Sequence, residues 1–175
     1  DMPDNVMPSA ALYLDKARAS ITATEGGQQI RYGNRGGLYG YLPKQGFKRS
    51  MTAEGLLCRM MMGWKISNPG LQEGIGFLVN HHLPDIQKKD LYYWYYATQM
   101  MHHVGGEPWD KWNSRMRVIL PRLQETKGHQ IGSWPPGTDS SHGGQGGRLY
   151  ATAFATAILE VYYRHAPLFR QIELE

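Results

Sequence analysis

Tyr92, Tyr96, Gln99 and His103 recur at i, i+4, i+7 and i+11 within LYYWYYATQMMHH (91–103), so on a helix they share one face. Each ends in a polar group. Phenol, amide and imidazole tips beside aromatic rings are what a sugar or a peptide segment would use for binding. The opposing set, Trp94, Ala97, Met101 and Val104, is largely apolar. A later segment repeats the division, with Arg148, Thr152, Thr156 and Glu160 on one stripe and Tyr150, Phe154, Ala157 and Val161 on another. Thr52 and Arg59 make a shorter version on a Met-rich segment. Buried polar groups need hydrogen-bond partners, so a second, polar stripe is expected to face a wet cavity. Arg148 is the leading ligand contact, because it follows a Gly-rich loop and opens a helix, where an anionic group is favoured twice. The competing expectation is that Arg59, Arg148, Glu54 and Glu160 pair with one another across neighbouring helices and fix their register.

Other chemistries find less to work with. His102 and His103 are adjacent, so on a helix they diverge by about 100° and do not grip one ion. His81 and His82 fall at a helix end, where the dipole accounts for them. No metal site and no cofactor is expected. Cys58 is the single cysteine, which excludes an internal disulfide; in its apolar segment it reads as a buried thiol acting as a small hydrophobe. No serine sits in a Gly-x-Ser-x-Gly elbow. Glu54, Asp139 and Glu160 are candidate carboxylates for glycoside chemistry, which needs two of them about 5 to 10 Å apart across a cleft.

Helices must position all of these groups. Five consecutive aromatics, residues 92–96, point in every direction around a helix, so that helix is expected to be enclosed on all sides. Six helical segments are predicted: Ser9 to about Thr24 with a Ser9 cap; Met51 to Met62; Asn68-Pro69 to about His82; Asp90 to Gly105-Gly106; Trp109 to about Thr126; and Arg148 to about His165. Amphipathic and buried kinds alternate, and the buried kind begins near 51, 91 and 148. Such loose spacing, about 40 and then about 57 residues, reads as stacked helical hairpins. No strand is expected. The loop GSWPPGTDSSHGGQGG (132–147) is long enough to contribute to a site, Trp134 included, or to turn Trp134 back onto the helix ends.

The totals fit one domain over residues 1–175: 41% of the chain is apolar, enough for a sizeable core. A net charge of +4 with no basic run longer than Lys88-Lys89 argues against nucleic-acid binding. No apolar stretch approaches the ~18 residues of a membrane span. The chain opens on DMPDNVMPSA and is read as part of something longer. Its compartment is left open.

Gln124 to Gly132-Ser133-Trp134 resembles the Gln-to-Gly-x-Trp repeat of squalene and hopene cyclases, and Gln28 through Gly37-Leu38-Tyr39 is similar to a degenerate copy with Tyr for Trp. The strings MTAEGLLCRMMMGW, DLYYWYYATQMMHHVGGEPWDKWNSRMR, GHQIGSWPP and GGRLYATAFATAILEVYYRHAPLF resemble planctomycete-type bacterial proteins carrying prenyltransferase/squalene-oxidase repeats. The resemblance implies an all-α fold, an α/α toroid of which this chain is a C-terminal part with about three hairpins of inner and outer helices. It implies open flanks through which copies could self-associate. An isoprenoid joins a glycan as an implied ligand. Cyclases of that superfamily protonate substrate from an Asp cluster; this chain has no Asp-x-Asp-Asp, which leaves Asp139 as the acid, active if burial raised its pKa. Related prenyltransferases hold zinc with Asp, Cys and His, and Asp139-Ser-Ser-His142 lacks that Cys. The leading expectation is therefore a ligand-binding or interaction domain whose site comprises Tyr92, Tyr96, Gln99, His103, Arg59, Arg148, Glu160 and Trp134. An isoprenoid-processing enzyme is the alternative, and a carbohydrate-active α/α-barrel enzyme the second alternative.

Overall fold

A computed structural model describes residues 5–18, 22–25, 28–31, 36–43, 45–136 and 143–164. Among these the fold is all-α in its framework: α1 Val6–Ala17, α2 Arg49–Met61, α3 Pro69–His81, α4 Leu91–Val104, α5 Gly106–Arg122 and α6 Gly143–Arg164. A two-stranded antiparallel hairpin, β1 Thr22–Glu25 and β2 Gln28–Arg31, overturns the expectation of no strand. Its signal was present in the threonines of β1 and in Gly26-Gly27, the two residues left between the paired ends Glu25 and Gln28. No described helix is long and apolar enough to cross a membrane.

The chain divides within α3 into two compact units, Asp1–Leu78 and Val79–Glu175. In the first, Ala53, Leu56, Leu71 and Leu78 are fully buried along α2 and α3. Asn68 caps α3 as expected, its Oδ1 accepting from Gly70 N at 2.9 Å, with Pro69 in the first turn, where a missing N–H costs nothing. The segment 36–40 lies directly on α3: a Cβ at Gly37 would stand 2.0 Å from the carbonyl oxygen of Gly70, and one at Gly74 2.5 Å from that of Gly37. Only glycine allows backbones this close. α1 differs from expectation at both ends. It begins before Pro8, whose lack of an N–H is harmless in a first turn, and stops at Ala17, so Ser9 is no cap.

In the second unit Asp90 caps α4 by accepting from Tyr93 N at 3.0 Å, and α4 ends at Gly105, whose φ of +68° suits glycine. Every residue from Leu91 to Val104 is buried or half-buried, as five adjacent aromatics require. α4 packs on α5 and α6. Toward α5, Trp112 Nε1 donates to Thr98 Oγ1 at 2.9 Å, and the Trp112 ring meets Tyr93 edge-on at 5.6 Å. α6 is broken at Gly147, φ +64°, so its regular run starts at Arg148.

Candidate functional site

A pocket of about 440 Å³ lies in the first unit, between one face of α1, one face of α2 and the segment 39–42. Ala10, Tyr13, Leu14 and Ala17 come from α1 at i, i+3, i+4 and i+7. Met51, Glu54, Gly55, Cys58 and Met62 come from α2 at i, i+3, i+4, i+7 and i+11. Helical periodicity alone thus brings each set to one wall. Tyr39, Gly40, Tyr41 and Leu42 complete the lining. The volume falls within the range of small-molecule pockets, and so does the composition, apolar and aromatic with few polar groups. Tyr13 Oη donates to the carbonyl of Tyr41 at 3.1 Å, tying α1 to the loop at the rim. Gly40 N donates to Ala17 O at 2.9 Å, which anchors the same loop to the end of α1.

Glu54 and Cys58 stand one turn apart on the same wall. Cys58 is exposed, which corrects the expectation of a buried thiol: its side of α2 borders the pocket, not the core. Partial burial in that wall pushes its thiol above the ordinary value, and the charge of Glu54 pushes it further, against the opposing effect of Arg59.

Behind the pocket lies a charge cluster. Arg59 is 5% exposed; its Nε donates to Tyr39 Oη at 3.2 Å and its Nη2 to Asp15 Oδ1, while its guanidinium stacks over Trp64 at 4.9 Å. Arg18 joins Asp15 at 3.0 Å and covers the same Trp64 ring at 5.5 Å. Burial works against the charge of Arg59, but its bonds to Tyr39 and Asp15 outweigh that and hold the guanidinium above its ordinary value. Thr52, fully buried, accepts from Tyr39 N at 3.2 Å. Arg59 and Thr52 are therefore engaged inside the protein, about a quarter-turn around α2 from the pocket wall. Polarity pointed to the Thr52 and Arg59 stripe, whereas the open face is the neighbouring Met51, Glu54, Cys58 and Met62 stripe. Its 3.6-residue period was the signal that could have found it.

The remaining expected residues lie in the second unit. Tyr92 and Tyr96 are half-buried with rings 5.0 Å apart; Tyr92 is 5.8 Å from Phe154 of α6, and Tyr95 is 5.3 Å from the same ring. Gln99 and His103 are buried. The phenols are thus held in a packed aromatic cluster between α4 and α6. Arg148 and Glu160, expected to pair with Glu54 or Arg59 if not with ligand, have local partners instead. Arg148 Nη1 donates to Ser133 Oγ at 3.1 Å and lies 3.7 Å from Glu125, and Glu160 pairs with Arg164 one turn on, at 3.0 Å. Trp134 is 3% exposed, donating its indole N–H to Leu120 O at 2.8 Å and its backbone N–H to Thr152 Oγ1 at 3.1 Å. It turns back onto the helix ends. Gln124 Nε2 donates to Gly132 O at 2.8 Å and closes the same loop. Asp139 and His142 lie outside the described residues. Among the described residues no group of three or more His, Cys, Asp or Glu is placed to hold a metal ion.

No protein-family model matches the chain, and no curated protein and no solved structure matches it.

Proposed function

We propose that this chain is a ligand-binding domain for a small, largely apolar molecule, held in the pocket between α1, α2 and the segment 39–42. The carrying observation is that cavity: about 440 Å³, with two helical faces turned toward it, and with the nearby guanidinium already neutralised by internal partners. No catalytic role is assigned, since Glu160 is paired with Arg164 and the lining carries one carboxylate, from Glu54.

The same proposal takes the helices as belonging to a partial α/α toroid of the prenyltransferase/squalene-oxidase repeat type. Two features support it. α4 is enclosed along its whole length, and the Gly132-Ser133-Trp134 loop closes on α5 and α6 through Gln124 and Trp134.

Nile red, a neutral apolar dye, tests the binding reading. One-to-one saturable binding is expected, with protection of Cys58 from iodoacetamide; since the chain has one cysteine, labelling reports that wall alone. Ala10→Phe should fill the pocket and abolish both effects without lowering the melting temperature. Dye binding that persists undiminished in a folded Ala10→Phe protein would overturn the assignment of the site.

A further inference from the structure

We infer that the ligand of this pocket is a neutral molecule with a flat aromatic ring system, selected by the rings of Tyr13, Tyr39 and Tyr41. The inference rests on the ligand-binding reading and names its chemical class.

The lining disfavours a charged or strongly polar ligand, because its polar groups are already used inside the protein. Tyr13 Oη donates to Tyr41 O at 3.1 Å, Tyr39 Oη accepts from Arg59 Nε at 3.2 Å, and Gly40 N donates to Ala17 O at 2.9 Å. Glu54 is not without a partner either. The lining holds no Lys, Arg or His, so an anion finds no counter-charge in it. Hydrogen-bonding capacity spent on the protein is not offered to a ligand, and the surface left on offer is apolar and aromatic.

The rings are also set in place before a ligand arrives. Tyr39 lies against the backbone of α2 at Gly55, where a Cβ would stand 2.6 Å from its ring carbons Cγ and Cδ2. Its backbone N–H is held by Thr52 and its hydroxyl by Arg59, so backbone, ring and tip are all fixed. Tyr13 is held at its tip by the carbonyl of Tyr41, across the rim. Side chains already ordered lose little freedom on binding. Aromatic pairs attract one another in offset-stacked or edge-to-face geometry beyond the area they bury, a gain that a saturated molecule of the same size does not receive. Met51 and Met62, at the two ends of the α2 wall, add polarisable sulfur, which favours the edges of aromatic rings.

The test sets naphthol against menthol and geraniol: a flat aromatic against a saturated ring and an open isoprenoid chain, all alcohols of equal carbon number. Binding is read by displacement of Nile red and by protection of Cys58 from iodoacetamide. Naphthol is the least apolar of the three, so hydrophobicity alone ranks it last. It should instead bind about fivefold or more tighter than either of the others, the worth of one or two aromatic contacts. Tyr13→Leu combined with Tyr41→Leu removes the two exposed rings and should erase that preference, while Tyr13→Phe, which keeps the ring, should retain it. Naphthol binding no tighter than menthol or geraniol, or a preference undiminished in the folded double variant, would overturn the aromatic assignment and leave the pocket reading standing. Failure of Nile red to bind, together with failure of all three alcohols to protect Cys58, would overturn both.

Discussion

The two units each contain a glycine-to-aromatic step that closes on the start of a helix, and they use the same bond to do it. Tyr39 N donates to Thr52 Oγ1 on α2 at 3.2 Å, and Trp134 N donates to Thr152 Oγ1 on α6 at 3.1 Å. Each aromatic follows its glycine by two positions, Gly37 to Tyr39 and Gly132 to Trp134. The outcomes differ because the ring tips differ. The indole N–H of Trp134 is a donor and ends on a helix-end carbonyl, Leu120 O, which seals the loop. The phenol of Tyr39 can also accept, so it takes a hydrogen bond from Arg59, brings a charge cluster to its back and leaves its flank as pocket wall. One closure seals its loop and the other borders a pocket.

Breaking that parallel should cost most at the sealed end. Trp134→Ala should destabilise the protein by about 3–5 kcal/mol in urea unfolding, as for other large buried aromatics. A loss below about 1 kcal/mol would show that Trp134 does not seal its unit. Tyr39→Phe keeps the ring and removes the acceptor from a buried guanidinium, so about 1–3 kcal/mol is expected, with Nile red binding retained because the ring still forms the wall. Thr52→Val and Thr152→Val each orphan a backbone N–H. The former should cost about 1–2 kcal/mol and the latter less, since Thr52 is fully buried and Thr152 is half-buried. Equal costs would mean the two steps are closer in energy than their surroundings suggest. Arg148→Ala, which removes a partly exposed ion pair with Glu125, should cost under about 1 kcal/mol, and less in high salt.

A pH measurement sharpens the pocket side. Burial and the Glu54 charge raise the thiol of Cys58, so its thiolate forms only above the pH at which a free cysteine ionises. Glu54→Gln removes one of the two causes, moving the alkylation profile of Cys58 to lower pH and speeding labelling near pH 8. An unchanged profile would place the Glu54 carboxylate too far from Cys58 to act on it.

The framework was legible where capping and periodicity carried it: Asn68-Pro69 opening α3, Asp90 opening α4, Gly105 closing it, and five aromatics enclosing a helix. The site was less so. Polar side chains at regular spacing marked Tyr92, Tyr96, Arg59 and Arg148, but a polar group on one face of a helix is equally satisfied by an internal partner. Phe154, Asp15 and Glu125 supply contacts that linear spacing does not encode. The pocket wall was passed over because Met51, Gly55, Cys58 and Met62 read as core on an apolar helix. Which apolar face stays open depends on where α1 ends, and α1 stops earlier than its amphipathic pattern suggested.

The contact between segment 36–40 and α3 acts as a gauge for the pocket. With no side chain at Gly37 or Gly74 to flex, the height of Tyr39 above α3 is set by the thickness of two backbones. A single methyl at residue 37 would have to lift the segment by on the order of an ångström to reach ordinary contact. Pocket depth could therefore be retuned from a position that never touches the ligand.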